Sequence, residues 1–249
     1  VNEPRIIYQD PQLLALYKPS GWHTFSMSSE DKSLAGWLLK RRPELAGVGG
    51  RLGPALAHRL DAPTSGLVLA GADEVSFAYL RRLFQHGEIE KIYLALVEGL
   101  LTEEITIDLC LGARYRHSRK VTVAKGKHNL HWTRKAITQV YPLAFGRQTT
   151  LCRVGILTGV RHQIRAHLAH TGHPIRGDIL YGAKEPLPDD RIMLHALSVG
   201  LVHPASKAKI TIGCRPDHGW VELAEGQGLA ASLSTFIKDQ QRRWTQSGR

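Results

Sequence analysis

Residues 58–66, H-R-L-D-A-P-T-S-G, constrain this chain more than any other stretch of its 249 residues. They place a carboxylate, Asp61, two residues after a guanidinium, Arg59, with the imidazole of His58 just before. Pro63 and Gly66 stiffen and turn the chain, and Thr64 and Ser65 offer hydroxyls between them. An acidic group in basic company, on a turn-rich loop running into the apolar stretch Leu67-Val68-Leu69-Ala70, is how an active-site loop is built on a rigid scaffold. The plainer alternative is a surface Arg–Asp pair in a turn, which contributes little. Around this loop, apolar segments of strand and helix length follow one another without regular β-α-β alternation. That pattern predicts an α+β fold with a mainly antiparallel sheet flanked by helices.

The segments themselves are readable. Ile6-Ile7-Tyr8 and Leu13 to Tyr17 read as two strands around Asp10-Pro11. Leu34, Trp37 and Leu38 recur at helical spacing, and Pro43 ends that helix. The glycines from 47 to 53 read as a flexible link to the 58–66 loop. Asp73 is a good N-cap for a helix carrying Phe77, Leu80 and Phe84, with Gly87 at its C-terminal stop. Lys91 to Val97 is apolar on both faces, as a central strand is. Residues 112–135 are basic and poorly patterned, a long loop or an irregular hairpin. Thr149 to Leu157 reads as a strand and Arg161 to Thr171 as a helix closed by Gly172 and Pro174. Leu194 to Val202 and Lys209 to Ile212 are shorter apolar stretches, and residues 229–249 read as a helix that frays. The whole chain, 1–249, is expected to form a single domain, with no separate N-terminal RNA-binding module before residue 5.

Charge narrows the partners. The chain has 33 Lys and Arg against 22 Asp and Glu, a formal net charge of +11. Much of the excess lies in Arg114, Arg116, Arg119 and Lys120, continuing through Lys125, Lys127, Arg134 and Lys135. A basic tail from about residue 238 adds Lys238, Arg242, Arg243 and Arg249. With Tyr115, Trp132 and Tyr141 interleaved, such a surface suits a polyanion with exposed bases; a solvated basic face is the alternative. No run of 18 apolar residues is present, so no spanning helix is expected. Cys110, Cys152 and Cys214 are isolated thiols, which argues against a disulfide framework and fits a reducing cytosol.

Four kinds of chemistry compete. A metal site would use His162, His167, His170 and His173, but no pair is spaced i, i+4 and no acid falls among them. A nucleotide cradle at the glycines of 47–53 lacks the P-loop and G-x-G-x-x-G patterns. A nucleophilic Ser65 lacks the G-x-S-x-G elbow. A single catalytic carboxylate, Asp61, needs a cation to stay ionised. Arg161 and Arg165, one turn apart on the expected helix, could supply it, and Tyr93 on the expected central strand could offer a flat face to a base.

The same residues resemble the RluA-type pseudouridine synthases. H-R-L-D-A-P-T-S-G is similar to that family's H-R-L-D-x-x-T-S-G. Lys18-Pro19-Ser20-Gly21 resembles its K-P-x-G and Lys91-Ile92-Tyr93 its K-x-Y. Thr158-Gly159 and His162-Gln163-Ile164-Arg165 resemble T-G-R-x-H-Q-[IL]-R. His173 to Asp178, Tyr181-Gly182, Leu194-His195-Ala196 and His203-Pro204 follow in order. The likeness runs from about residue 5 to residue 215. It departs at Val160, where the family has Arg; Arg161 is next along, but a helix turns about 100° per residue, so it does not take the missing side chain's place.

The resemblance implies an RNA pseudouridine synthase without metal or cofactor, acting on a uridine of rRNA or tRNA in the cytoplasm, by default as a monomer. Asp61, Tyr93 and Arg165 would be catalytic, Tyr93 stacking on the base and Arg165 pairing with Asp61. Arg59 would fill the space left by the flipped uridine. His58, Thr64, Lys91, Arg161, His162 and Gln163 complete the expected RNA-binding set. The competing reading is a non-catalytic RNA-binding or chaperone protein on the same scaffold.

Overall fold

The computed structural model describes residues 3–26, 32–50, 54–124 and 130–244. Gly53, Lys125, Lys127 and Arg249, singled out above, lie outside the described residues. The strands are β1 (Arg5–Gln9), β2 (Leu13–Lys18), β3 (Ser65–Gly71), β4 (Glu90–Glu98), β5 (Ile105–Asp108), β6 (Leu111–Ala113), β7 (Thr122–Val123), β8 (Trp132–Arg134), β9 (Ile137–Phe145), β10 (Thr149–Ile156), β11 (Leu194–Val202) and β12 (Lys209–Gly213). The α-helices are α1 (Leu34–Arg41), α2 (Glu74–His86), α3 (Gln163–His170), α4 (His218–Glu225) and α5 (Ala230–Gln241). The class is the expected α+β. The strand pairs of the two units are antiparallel except β3 with β11.

The chain divides into two compact units, one of residues 1–90, 195–217 and 236–249, the other of 91–194 and 218–235. In the first, β2 lies between β1 and β3, and β11 pairs with both β3 and β12. Every residue of β2 and β3 is buried, which is why both read as continuous apolar runs rather than as alternating ones. Leu13, Ala15 and Tyr17 of β2 and Leu67 and Leu69 of β3 pack with Leu80 and Leu83 of α2. Asp73 caps α2 by accepting from the Ser76 amide at 2.7 Å, and Gly87 closes it with φ of 71°. Gly66, at φ of 121°, is required by close approach as well as by conformation: a Cβ there would stand on the backbone of Ala196 in β11.

In the second unit β4, β10, β9 and β5 pair in that order. Pro142 disguises β9 as a loop in the sequence. It is accommodated at a register shift opposite Leu151 and Cys152, as a proline inside a sheet must be. The described residues of 112–135 hold more than the expected long loop or irregular hairpin. With Leu111 they form a small antiparallel sheet in the order β7-β6-β8. Its strands, two or three residues each, are too short for a period to show. Leu111 and Val121 bury against Ala136, Ala166 and Tyr181, with Trp132 and Val160 packed at the edge.

Helix α3 starts at Gln163, later than expected. His162 sits in the left-handed region at φ of 55°, which interrupts the helical run, so Val160 and Arg161 precede the helix. Arg161 is therefore not stacked one helical turn before Arg165. It is exposed, and its Nη2 donates to the Ser118 carbonyl at 2.6 Å.

Candidate active site

The loop bearing Asp61 is fastened from beneath by the K-P-S-G segment. Lys18 is fully buried and its ammonium donates to the carbonyls of Pro19 (2.8 Å), Trp22 (2.7 Å) and Ala62 (3.0 Å). Ser20 Oγ donates to the Pro63 carbonyl at 2.9 Å, and the Gly21 amide to that of Ala62 at 2.9 Å. Thr24 Oγ1 donates to the Leu60 carbonyl at 2.9 Å and accepts from the Leu60 amide at 3.0 Å. The Thr64 amide closes the turn on the Asp61 carbonyl at 3.0 Å. Main-chain atoms on both sides of Asp61 are thus pinned, while its side chain stays half-buried and that of Arg59 is exposed. Burial pushes the Lys18 amine down to about 7, and the nearby charge of Asp61 acts in the opposite direction.

Other loop residues have different surroundings. His58 Nε2 accepts from the Leu69 amide at 2.9 Å, and its ring lies 4.3 Å from that of Phe84, so this imidazole braces the strand that follows. Ser65 is buried and hydrogen-bonded through Oγ to His195 Nδ1 at 2.9 Å, with His195 Nε2 bonded to the Cys214 carbonyl at 2.9 Å. Ser65 and His195 are 2% and 0% exposed, so this hydroxyl is closed off from an incoming substrate. Thr64 is buried, and its Oγ1 has no hydrogen-bond partner among the described residues. A buried hydroxyl in that state favours any ligand atom that would satisfy it.

In the second unit Gln163, Arg165 and His167 of α3 are buried and their partners are specific. Gln163 Oε1 accepts from Thr158 Oγ1 (2.8 Å) and the Val160 amide (3.1 Å). Its Nε2 donates to the Ile137 carbonyl (2.9 Å) and Thr138 Oγ1 (3.1 Å). All four hydrogen-bonding positions of the amide are used, so Gln163 shapes the T-G-V turn. Arg165, 5% exposed, forms a two-pronged pair with Asp178, 1% exposed: Nε to Oδ2 at 2.7 Å and Nη2 to Oδ1 at 2.8 Å. Gly177, at φ of 85° and hard against the Arg191 carbonyl, lets the chain deliver Asp178 to that position.

Tyr93 lies on β4, largely buried and opposite Val154 of β10. Lys91, two residues before it, donates to the Thr158 carbonyl at 3.1 Å, and burial pushes its amine down to about 8. Three of the four clustered imidazoles have work in the fold, and His170 is exposed. His162 Nδ1 meets Tyr181 Oη at 3.0 Å, His167 bonds Thr138 Oγ1 (2.9 Å) and the Leu109 carbonyl (3.2 Å), and His173 bonds the Glu98 carbonyl (3.0 Å). Desolvation lowers the pKa of His167, favouring the neutral ring. Among the described residues no group of three or more His, Cys, Asp or Glu is placed to hold a metal ion, and no helix is long and apolar enough to cross a membrane.

A pinned loop with a half-buried carboxylate, and a buried arginine gripped by a second carboxylate, are parts suited to acid–base or nucleophilic chemistry. The sequence, over residues 12–170, matches the family model described as RNA pseudouridylate synthase. The chain belongs to this family of RNA pseudouridine synthases. As a pseudouridine synthase it is an enzyme whose substrate is RNA, in agreement with the RluA-type motifs.

Its relatives span most of its length. It is 36% identical over 203 residues to an RNA pseudouridine synthase of Helicobacter pylori (strain ATCC 700392 / 26695), covering 81% of this chain and 73% of that one. It is 32% identical over 241 residues to tRNA pseudouridine synthase C of Salmonella typhi, covering 88% and 87%. Among solved structures, human RNA Pseudouridylate Synthase Domain Containing 1 aligns with a TM-score of 0.69 at 25% identity, over 87% of this chain and 84% of that one. Human RNA Pseudouridylate Synthase Domain Containing 4 shares the fold, with a TM-score of 0.70 at 23% identity over 88% and 91%.

Three elements of this pseudouridine synthase's site region were absent from the expected set: Lys18 as the pin beneath Asp61, Asp178 as a partner of Arg165, and Tyr181 beside both His162 and Arg165. Lys18 and Tyr181 stand inside motifs quoted above, so their positions were visible while their roles were not. Asp178 likewise closes the quoted stretch His173 to Asp178, with its role unread. Its pairing with Arg165 spans thirteen residues of sequence and leaves no periodic trace.

Proposed function

We propose that this pseudouridine synthase converts a uridine of structured RNA into pseudouridine with Asp61 as the catalytic carboxylate, Arg165 as its cationic partner and Tyr93 as the face on which the base stacks. The uridine is swung out of its stack, at a cost of a few kcal/mol, which phosphate contacts to the basic surface offset. The N1–C1′ bond breaks, the uracil turns while bound, and C5 bonds to C1′. The proton lost from C5 balances the one gained at N1, so no redox partner, metal or cofactor enters. An ionised Asp61 serves either as nucleophile toward the sugar or as base. Arg59, exposed on the same loop, fills the gap left by the uridine, and Thr64 Oγ1 offers a hydrogen bond to the bound nucleoside. His58, Lys91, Arg161, His162 and Gln163 shape the ground around these contacts.

The observation that carries this reading is the pinning of the main chain on both sides of Asp61 by Lys18, Ser20 and Thr24. Such pinning holds a reacting group in place through its main chain. The two compact units together make one catalytic domain, working as a monomer in the cytoplasm. The activity named for the Salmonella typhi relative makes transfer RNA the first substrate class to test, with ribosomal RNA next. The experiment is direct: incubate RNA from cells lacking this gene with purified enzyme and map pseudouridine by mass shift after derivatisation. New pseudouridine at defined uridines is expected. A protein that binds RNA equally well as wild type and as Asp61→Asn, and modifies none of it, would instead be the RNA chaperone on this scaffold.

A further inference from the structure

Tyr181 ends the short 3-10 turn Ile179–Tyr181 and is 4% exposed. Its hydroxyl accepts from the Val121 amide at 3.0 Å, lies 3.3 Å from the Val121 carbonyl and 3.0 Å from His162 Nδ1. A phenol has one hydrogen and two lone pairs. With the proton of His162 on Nδ1, the hydroxyl accepts two bonds and donates one to the Val121 carbonyl, using all three. The ring is flanked by two cations, with Arg165 Cζ 5.0 Å and Lys120 Nζ 4.9 Å from its centroid. Asp178, three residues earlier, grips the same Arg165.

We propose that Tyr181 is a positioning residue that couples the small basic sheet β6–β8 to Arg165, so that RNA seated on the sheet and the arginine are held in one register. The proposal rests on the reading above, in which the basic surface meets RNA and Arg165 serves the reaction. The sheet needs such a fastening. Strands of two and three residues do not form an independently stable sheet, so its orientation is set by what it docks on. Its anchors include the burial of Leu111 and Val121 on Ala136 and Ala166, the bond from Arg161 to Ser118, the packing of Val160 and the hydroxyl of Tyr181. Tyr181 is the anchor that also touches Arg165. Here Val160, where the motif has arginine, adds apolar contact to the same docking surface. Force on Arg114, Arg116, Arg119 or Lys120, all exposed on this segment, therefore has a route to Arg165 through one aromatic side chain.

The test separates the hydroxyl from the ring. Tyr181→Phe keeps the ring beside Arg165 and releases Val121. The apparent KM for hypomodified total RNA is expected to rise roughly 5- to 30-fold, with kcat within about twofold and faster amide exchange over residues 111–124. Tyr181→Leu removes the ring as well, and kcat is expected to fall at least about tenfold below that of Tyr181→Phe. Val160→Ala trims the apolar docking surface and leaves both the Tyr181 hydroxyl and the RNA-binding set in place, so it should reproduce the direction of the KM effect and spare kcat. This variant keeps the test decisive if Tyr181→Leu fails to fold. A purely structural tyrosine would lower the melting temperature while leaving KM and kcat per folded molecule at wild-type values, and that result overturns the proposal. Asp61→Ala, run alongside, distinguishes the two readings. If it is inactive while Tyr181→Phe matches wild type in kinetics and exchange, the coupling is wrong and the reaction assignment stands. If Asp61→Ala is fully active, the reaction assignment fails and takes the coupling with it.

Discussion

The Asp61 loop and the surroundings of Arg165 are both rigid, but they are made rigid by opposite means. Around Asp61 the bonds run from side chains to main chain: Lys18, Ser20 and Thr24 hold the carbonyls of Ala62, Pro63 and Leu60. Around Arg165 they run largely from side chain to side chain, through Asp178, Tyr181, Gln163 and Thr138. A loop held by its backbone spreads its stability over several modest contacts, and here those bonds fall on the carbonyls either side of Asp61. A network of buried polar side chains concentrates it, because removing one member strands the others.

That contrast ranks the outcomes of substitution. Asp178→Ala should be the most damaging to stability. It breaks a buried ion pair on a two-pronged geometry, and about 3–5 kcal/mol of unfolding free energy is expected to be lost in urea denaturation. A loss below about 1 kcal/mol would mean that the guanidinium finds equal support elsewhere, and the contrast would weaken. Gln163→Leu comes next. It fills similar space but forsakes four hydrogen bonds, and a cost of about 2–3 kcal/mol is expected in the same measurement.

Lys18→Met is expected to cost less, about 1–2 kcal/mol at pH 9.5, and its cost should depend on pH. The sign follows from protons. The folded amine is pushed down to about 7, while an unfolded lysine titrates near 10.4. Between those values the unfolded chain holds a proton that the folded chain has released, so this group makes stability rise with pH across that window and level off below about 7. Replacing it should flatten the rise, so that the variant, less stable than wild type at pH 9.5, gains on it as pH falls and overtakes it by pH 7. An unchanged slope would show that Lys18 does not titrate in this window. Ser20→Ala, removing one bond to the Pro63 carbonyl, should cost only about 1 kcal/mol; a loss as large as that of Asp178→Ala would erase the distinction between the two regions.

The same difference decides what was legible in the sequence. The 58–66 loop reads as a site because its chemistry is contiguous and its pins lie in one short segment, residues 18–24. Strands β2, β4 and β10 and helix α2 read well because burial on one or both faces imposes a composition, and because Asp73 and Gly87 punctuate α2. The start of α3 did not read, because the left-handed His162 is a conformational choice that spacing does not encode, and Arg161 was consequently assigned to the wrong turn. The pairing of Arg165 with Asp178 and the bonding of Tyr181 to Val121 are tertiary events across 13 and 60 residues. Residues 112–135 looked unpatterned because their strands are shorter than any period, and α4 and β9 passed unread, the latter behind Pro142.

The most direct measurement is pseudouridine formation in hypomodified RNA by wild-type enzyme and by Asp61→Asn, a substitution that keeps shape and removes charge. With Asp61 as the reacting carboxylate, the variant should bind RNA with near wild-type affinity and lose activity by at least about 10²–10⁴-fold. Activity within a few fold of wild type, with RNA binding intact, would contradict the account at its centre.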